Sequence, residues 1–260
     1  MKYTIEQVEK AKSLRNEGRN FSEIARIMNI PRPSLKYFFS EKHKSTRGVD
    51  KTIDYSYVID NNLVKEYSYI LGLYLGDGYI DKMPRTYRLR IALDYKYNNL
   101  NDFAQKMLLT FFPKNKINRL IIKNKDKNSY INLIVYNNDI IKGLFPQIGD
   151  GKKHTRDVSL KDWQWNIIDC NYLLLGLFHS DGCYYLHSKR NKYSYQFSNK
   201  SRDLIDAFKM CCEHLNLKYY FANHYTKESF SITISVKDSD KLYNKIGDKV
   251  NILNSQNIVK

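Results

Sequence analysis

No apolar run in this chain approaches the ~18–20 residues that a membrane-crossing helix needs, and the N-terminal MKYTIEQVEK lacks the apolar core of a secretory signal. Cysteine is scarce: Cys170, Cys183, Cys211 and Cys212 form no CxxC pair. That spacing argues against a zinc ribbon and against a disulfide framework, so a reducing, cytoplasmic setting is expected. Acid is also in short supply, with 27 Asp+Glu against 43 Lys+Arg and a formal net charge of +16. The basic excess is spread along the chain rather than gathered into a tail, which points to a polyanionic partner contacted over a long surface. Nucleic acid fits this; an anionic membrane is the weaker alternative.

One stretch occurs twice. Residues 69–80, YILGLYLGDGYI, return as residues 172–184, YLLLGLFHSDGCY. Gly72 aligns with Gly176, Gly76 with Ser180, Asp77 with Asp181 and Gly78 with Gly182. Glycine inside a helix costs about 1 kcal/mol relative to alanine, so a small residue repeated four positions on in both copies implies close backbone approach. The two helices are expected to pack face to face along Gly72, Gly76, Gly176 and Ser180, placing Asp77 and Asp181 side by side at their C-termini. Two adjoining carboxylates at helix C-termini repel each other and oppose the helix dipole, so a cation is expected between them. Carboxylate and carbonyl oxygens suit Mg²⁺; one isolated Asp-Gly would be an ordinary turn.

The pattern around each copy reads αββαββα. In the first half, a helix through 63–77 precedes strands at 78–82 and 87–94, a helix at 98–111, a hairpin around 124–128 and a short helix at 138–145. The second half repeats this from 168. Tyr87, Leu89, Ile91 and Leu93 alternate with Arg88, Arg90 and Asp94, so one face of each antiparallel sheet packs and the other meets solvent. Arg88, Arg90, Ser194, Gln196, Ser231, Thr233, Ser235 and Lys237 are thereby candidate DNA-reading side chains, since such donors and acceptors match base edges in the major groove.

Residues 1–45 read as three short helices, capped by Thr4 and Ser22, with Pro33 in the first turn of the third. They resemble a helix-turn-helix module, which implies that Arg32, Ser34, Lys36 and Tyr37 enter the major groove. A plain three-helix bundle with a basic surface remains the alternative. Residues 46–62 look like a linker, residues 63–148 the first half, 149–167 a connection, and 168–260 the second half. The fold class is therefore α+β, with a small all-α module ahead of a pseudo-twofold duplicated body.

ILGLYLGDG at 70–78 and LLGLFHSDG at 174–182 are similar to the paired motifs of the LAGLIDADG homing endonucleases in their single-chain, two-motif form. The resemblance spans roughly residues 63–250. It implies two β-saddles over a long double-stranded DNA site and a metal-dependent double-strand break with short 3′ overhangs, made by a monomer. Asp77 and Asp181, with the carbonyls of Gly76 and Ser180, would hold Mg²⁺. Lys153, with Lys152 as rival, and Lys249 would sit near the scissile phosphates. Asn199 would position water, with Tyr95 in its place in the first half. His179, at a motif position that varies, is expected to be packed rather than catalytic. An intron RNA maturase or a non-cleaving regulator on the same fold is the alternative, whereas an intein is excluded by the lack of splice-junction residues.

Overall fold

The computed structural model describes residues 5–32, 35, 55–123, 129–187 and 192–250. The chain divides into two compact units, Met1–Ile53 and Asp54–Lys260.

In the first unit, α1 (Ile5–Asn16) and α2 (Phe21–Met28) enclose Ala11, Ile24, Ile30 and Leu35. The cap of α2 is Asn20 rather than Ser22. Its side chain accepts the amides of Ser22 and Glu23 (both 3.0 Å), and Glu23 returns a bond to the Asn20 amide (2.9 Å). Asn is at least as good a cap as Ser, and here it lies one residue before Phe21, which opens the helix. Asn29, in the left-handed conformation with φ 51°, ends α2. Arg32 is exposed; Ser34, Lys36 and Tyr37 lie outside the described residues.

The second unit begins with α3 (Ser56–Asp60), inside the expected linker. The apolar residues of this short helix anchor it: Val58 is fully buried, and the Tyr57 hydroxyl donates to the Phe111 carbonyl (2.5 Å). Next come α4 (Val64–Leu75), β1 (Gly78–Lys82), β2 (Tyr87–Asp94), α5 (Asn98–Phe111), β3 (Asn118–Ile122), β4 (Tyr130–Asn137) and α6 (Asp139–Leu144). The connection between the halves contains a 3-10 turn, Lys153–Thr155, and α7 (Asp162–Ile167). The second half follows with α8 (Cys170–Asp181), β5 (Gly182–His187), β6 (Lys192–Asn199), α9 (Arg202–His214), β7 (Tyr219–His224), β8 (Ser229–Ile234) and α10 (Val236–Ile246).

Each half forms a four-stranded antiparallel sheet, in the orders β1-β2-β4-β3 and β5-β6-β8-β7. Leu89, Ile91 and Leu93 of β2 stand opposite Val135, Leu133 and Ile131 of β4, and all six are buried on the helix-facing side. This is the outcome that period-two alternation dictates when one face of a sheet is covered. One continuous core runs from Val58 to Ile246 through both halves. Among the described residues, no helix is long and apolar enough to cross a membrane.

Candidate active site

Helices α4 and α8 are buried on nearly every side and lie against each other. The small residues set their approach. A Cβ on Gly72 would lie 2.6 Å from the Leu173 carbonyl oxygen and 2.8 Å from the Leu177 amide nitrogen, and one on Gly176 would collide with the Tyr69 carbonyl. At the next turn the Ser180 side chain fills the space over Gly76. Ser68 adds a polar tie, accepting the Asp169 amide at the start of α8 (2.8 Å).

This packing brings the two motif acids to one place. A Cβ on Gly76 would stand 3.2 Å from Asp181 Oδ2. Loss of water around Asp77, whose side chain is still open to solvent on one side, and then the charge of Asp181 push the Asp77 carboxyl up to about 6, while Lys249 and Lys153 oppose the rise. Desolvation also raises Asp181; its bond from Asn199 Nδ2 (2.8 Å) and the two lysines act against this.

Both lysines close over the helix ends in parallel ways. Lys153 Nζ donates to the Gly76 carbonyl (2.7 Å) and to the Tyr74 carbonyl, with the Tyr74 ring 5.2 Å away. Lys249 Nζ donates to the Ser180 carbonyl (2.9 Å), with the Phe178 ring 6.0 Å away. Cations at helix C-termini complement the dipole. Desolvation lowers Lys153 to about 8 and lowers Lys249 as well, against the attraction of both aspartates. Lys152, its rival in the sequence, is exposed and lines the same cleft as Lys153.

Among the described residues, no cluster of three or more His, Cys, Asp or Glu side chains could cage a metal. A two-carboxylate set nevertheless fits Mg²⁺, which commonly keeps several waters and takes one or two carboxylates together with substrate phosphates. The Gly76 and Ser180 carbonyls, expected as further ligands, here accept the lysine ammoniums instead. A cleft of about 640 Å³ opens beside Gly76, Lys153, His154, Asp181, Asn199 and Lys200. His154 and Lys200, which the repeat alignment does not single out, adjoin residues that it does.

The first half departs from the expected symmetry. Gly78 stands opposite Ile91 as Gly182 stands opposite Phe197, so the register counterpart of Asn199 is the buried Leu93. Tyr95 lies beyond the end of β2 and is exposed. The turn that Asn199 makes by accepting the Ser201 amide (2.7 Å) is made in the first half by Asp94, which accepts the Lys96 amide (3.0 Å). A two-residue difference between the hairpins accounts for the shift. His179 is buried, with Nδ1 2.9 Å from the Tyr69 hydroxyl and the Phe103 ring close by.

Several expected reading residues are placed differently. Arg88 and Arg90 do project from the open face, but both lean on Asp81, at 2.7 and 3.7 Å. Ser194, which stands opposite Tyr185 in the register, and Ser231, whose Oγ lies 2.8 Å from His224 Nε2, are both buried. Ser235 caps α10, accepting the Asp238 amide, and Lys237 lies within that helix, because β8 ends at Ile234. Gln196 and Thr233 remain on the open face as a cross-strand pair, with Tyr220 beyond Thr233.

A pseudo-twofold body of two αββαββα halves, joined by glycine-packed helices that end in acids, is the architecture of LAGLIDADG proteins. The family model for the LAGLIDADG-like domain matches residues 65–149 and 170–260. The chain belongs to that family. No curated protein matches it. Among solved structures it is similar to mesophilic variants of the homing endonuclease I-DmoI, with TM-score 0.50 and 15% identity over 70% of this chain and 94% of that one. I-DmoI in complex with DNA and Mn gives TM-score 0.50 and 16% identity over 70% and 96%. The homing endonuclease I-WcaI bound to its DNA recognition sequence gives TM-score 0.50 and 18% identity over 76% and 88%. At these identities the likeness is one of fold.

Proposed function

We propose that this protein is a site-specific DNA endonuclease that breaks both strands of a long double-stranded target in the presence of Mg²⁺, acting as a monomer. The observation that carries this reading is the meeting of Asp77 and Asp181 at the glycine-packed helix ends, each helix end closed by a desolvated lysine. Holding like charges together in a partly desolvated site is costly, and the cost is offset where a cation and a phosphate are bound between them. The solved relatives described in complex with DNA and Mn, or bound to a DNA recognition sequence, agree with it.

In this reading Asp77 and Asp181 would hold the divalent ion, which would supply a lowered water pKa and stabilisation of charge on phosphate oxygens. The chain's own groups do the rest. Asn199 holds the Asp181 carboxylate in one orientation and lines the cleft where water enters. Lys153 and Lys249 face the phosphate and balance the negative charge that grows on it as water adds and the P–O bond to the leaving oxygen breaks. The proton lost by the attacking water is matched by one gained at the leaving oxygen. Gln196, Thr233 and Tyr220 on the second sheet, and Arg88 and Arg90 oriented by Asp81 on the first, contact base edges and backbone.

With a plasmid library carrying candidate targets, the wild-type protein is expected to produce linear DNA in Mg²⁺ and none in EDTA. Asp77→Asn and Asp181→Asn are expected to retain binding and lose double-strand cleavage. Full cutting by either variant removes that carboxylate from the mechanism.

A further inference from the structure

The open faces of the two sheets, which duplication would make alike, differ in chemistry. Side chains opposite one another on neighbouring strands share a face. In the first sheet Ala92, Asn132 and Leu120 form one row across β2, β4 and β3; in the second the matching row is Ser198, Ser231 and Ala222. The next row sets Arg90, Ile134 and Asn118 against Gln196, Thr233 and Tyr220. On the other flank Ile122 beside Tyr130 matches His224 beside Ser229. All these rows lie on the open side, because Leu89, Ile91 and Leu93, which alternate with Arg90 and Ala92 along β2, are buried against the helices. Ala92, Ile134 and Ile122 thus stand where the second half has Ser198, Thr233 and His224, and Leu120 stands where it has the smaller Ala222.

These apolar groups are not core. Leu120 is 50% exposed, Ala92, Ile122 and Ile134 are only partly buried, and β3 is the edge strand of its sheet. An apolar row at a sheet edge invites unwanted pairing, so its presence calls for an occupant. Two observations say which. Arg88 and Arg90 rise from the same face, so the occupant is anionic. The sheet also begins at Gly78, one residue beyond Asp77, so its face continues directly from the acids. The apolar group that the major groove of DNA presents is the thymine methyl, and the natural partner of an Asn amide there is adenine. Asn132, flanked in its row by Ala92 and Leu120, supplies both halves of an A·T pair with a match. RNA offers no equivalent, since uracil lacks the methyl and the A-form major groove is too narrow for side chains to read.

We propose that the first sheet reads an A·T-rich half-site through thymine methyl groups, with Leu120, Ile134 and Ile122 packed on the methyls and Asn132 on adenine. The second sheet reads its half-site instead by hydrogen bonds from Gln196, Thr233 and Ser198. This rests on the DNA-binding part of the reading above and adds what kind of sequence the substrate carries in each half. The target is therefore chemically lopsided although the protein body is pseudo-twofold.

The test selects sites for the full chain from a randomised duplex library in EDTA, then remakes the preferred duplex with deoxyuridine for thymidine, one half at a time. One half is expected to be A·T-rich and to bind about fourfold more weakly for each contacted methyl removed, the scale of one buried carbon. The other half should tolerate the replacement. Leu120→Ala and Ile134→Thr, which install the residues that the second half carries at matching positions, should each lose the deoxyuridine effect at one or more positions. Ile121→Ala removes an equally exposed side chain from the opposite face of β3 and should keep it. The deoxyuridine arm uses wild-type protein alone and decides the proposal even where a variant misfolds. Equal tolerance of deoxyuridine in both halves, undiminished sensitivity in both folded open-face variants, or equal binding of an RNA duplex of the same sequence overturns the methyl readout. So does failure to select any duplex, and so does free protein that dimerises while Leu120→Ala stays monomeric, since the face is then taken by a second copy. Cleavage in Mg²⁺ by a protein indifferent to deoxyuridine sinks this inference alone; methyl-dependent binding with neither strand cut sinks the endonuclease reading alone.

Discussion

His179 shows how a single side chain can leave a trace in the behaviour of the whole fold. Burial, and secondarily the nearby Lys249 charge, lower its imidazole from 6.5 to about 3. The unfolded chain therefore binds a proton below about pH 6.5 that the native state refuses until far lower pH, so this residue's contribution to stability is lost as pH falls through that window. The slope is at most about 1.4 kcal/mol per pH unit. Asp77, raised to about 6 in the folded state, acts in the opposite direction between its unfolded value and 6. Urea unfolding of the wild type and His179→Leu across pH 6 to 4 isolates the histidine, since Asp77 is common to both. The wild type is expected to lose more stability on acidification than the variant; parallel curves would mean that the ring is protonated in the native state.

At the scale of elements, the packing of α4 on α8 is decided by atoms that are missing. A methyl group on Gly176 would meet the Tyr69 carbonyl and stand 2.9 Å from Gly72 Cα, backbone against backbone, where no rotamer can yield. Gly176→Ala is expected to destabilise the protein by about 3 kcal/mol or more, at the upper end of overpacking costs. Gly143 provides the control, since it lies in α6 and a methyl group there would meet nothing within 4 Å. At that position alanine should raise stability by about 0.5–1 kcal/mol through helix propensity and lower unfolded-state entropy. Chemical denaturation of the two variants reads both signs, and a fall in stability for Gly143→Ala would show that this account of the glycines is incomplete.

For the molecule as a whole, the basic excess belongs to both compact units, and DNA affinity should fall steeply with salt. Each phosphate that the protein no longer neutralises flattens the slope of log K against log salt by about 0.9. Removing residues 1–45 is expected to weaken binding, flatten that slope and shorten the footprint while cleavage persists, because the paired helix ends lie wholly within Asp54–Lys260. An unchanged footprint and slope would mean that this unit does not touch DNA.

Local order was largely readable from residues 63–250 because its causes are local. The alternation of Leu89, Ile91 and Leu93 with Arg88 and Arg90 specifies a one-sided strand. The duplicated Gly, small, Asp, Gly pattern specifies two helices meeting at an acidic end. What could not be read locally depends on register and on side-chain length. Tyr95 occupied the place of Asn199 by chain count, until a two-residue difference between hairpins moved Leu93 there. Ser194 and Ser231 had the right parity for an open face, yet are shadowed by their neighbours. Ser235 and Lys237 extended the alternation of β8, but a cap bond to the Asp238 amide made them the start of α10.

The sequence by itself determined the duplication, the identity of the two acids and the small residues that let their helices touch, since these follow from periodicity and the volume of a side chain. Only the tertiary structure decided that a lysine from a distant loop closes each helix end, that Asp81 orients both arginines, and that Leu93 rather than Tyr95 is the register counterpart of Asn199. Those outcomes depend on where loops distant in the chain come to rest, and no spacing along the chain encodes that distance.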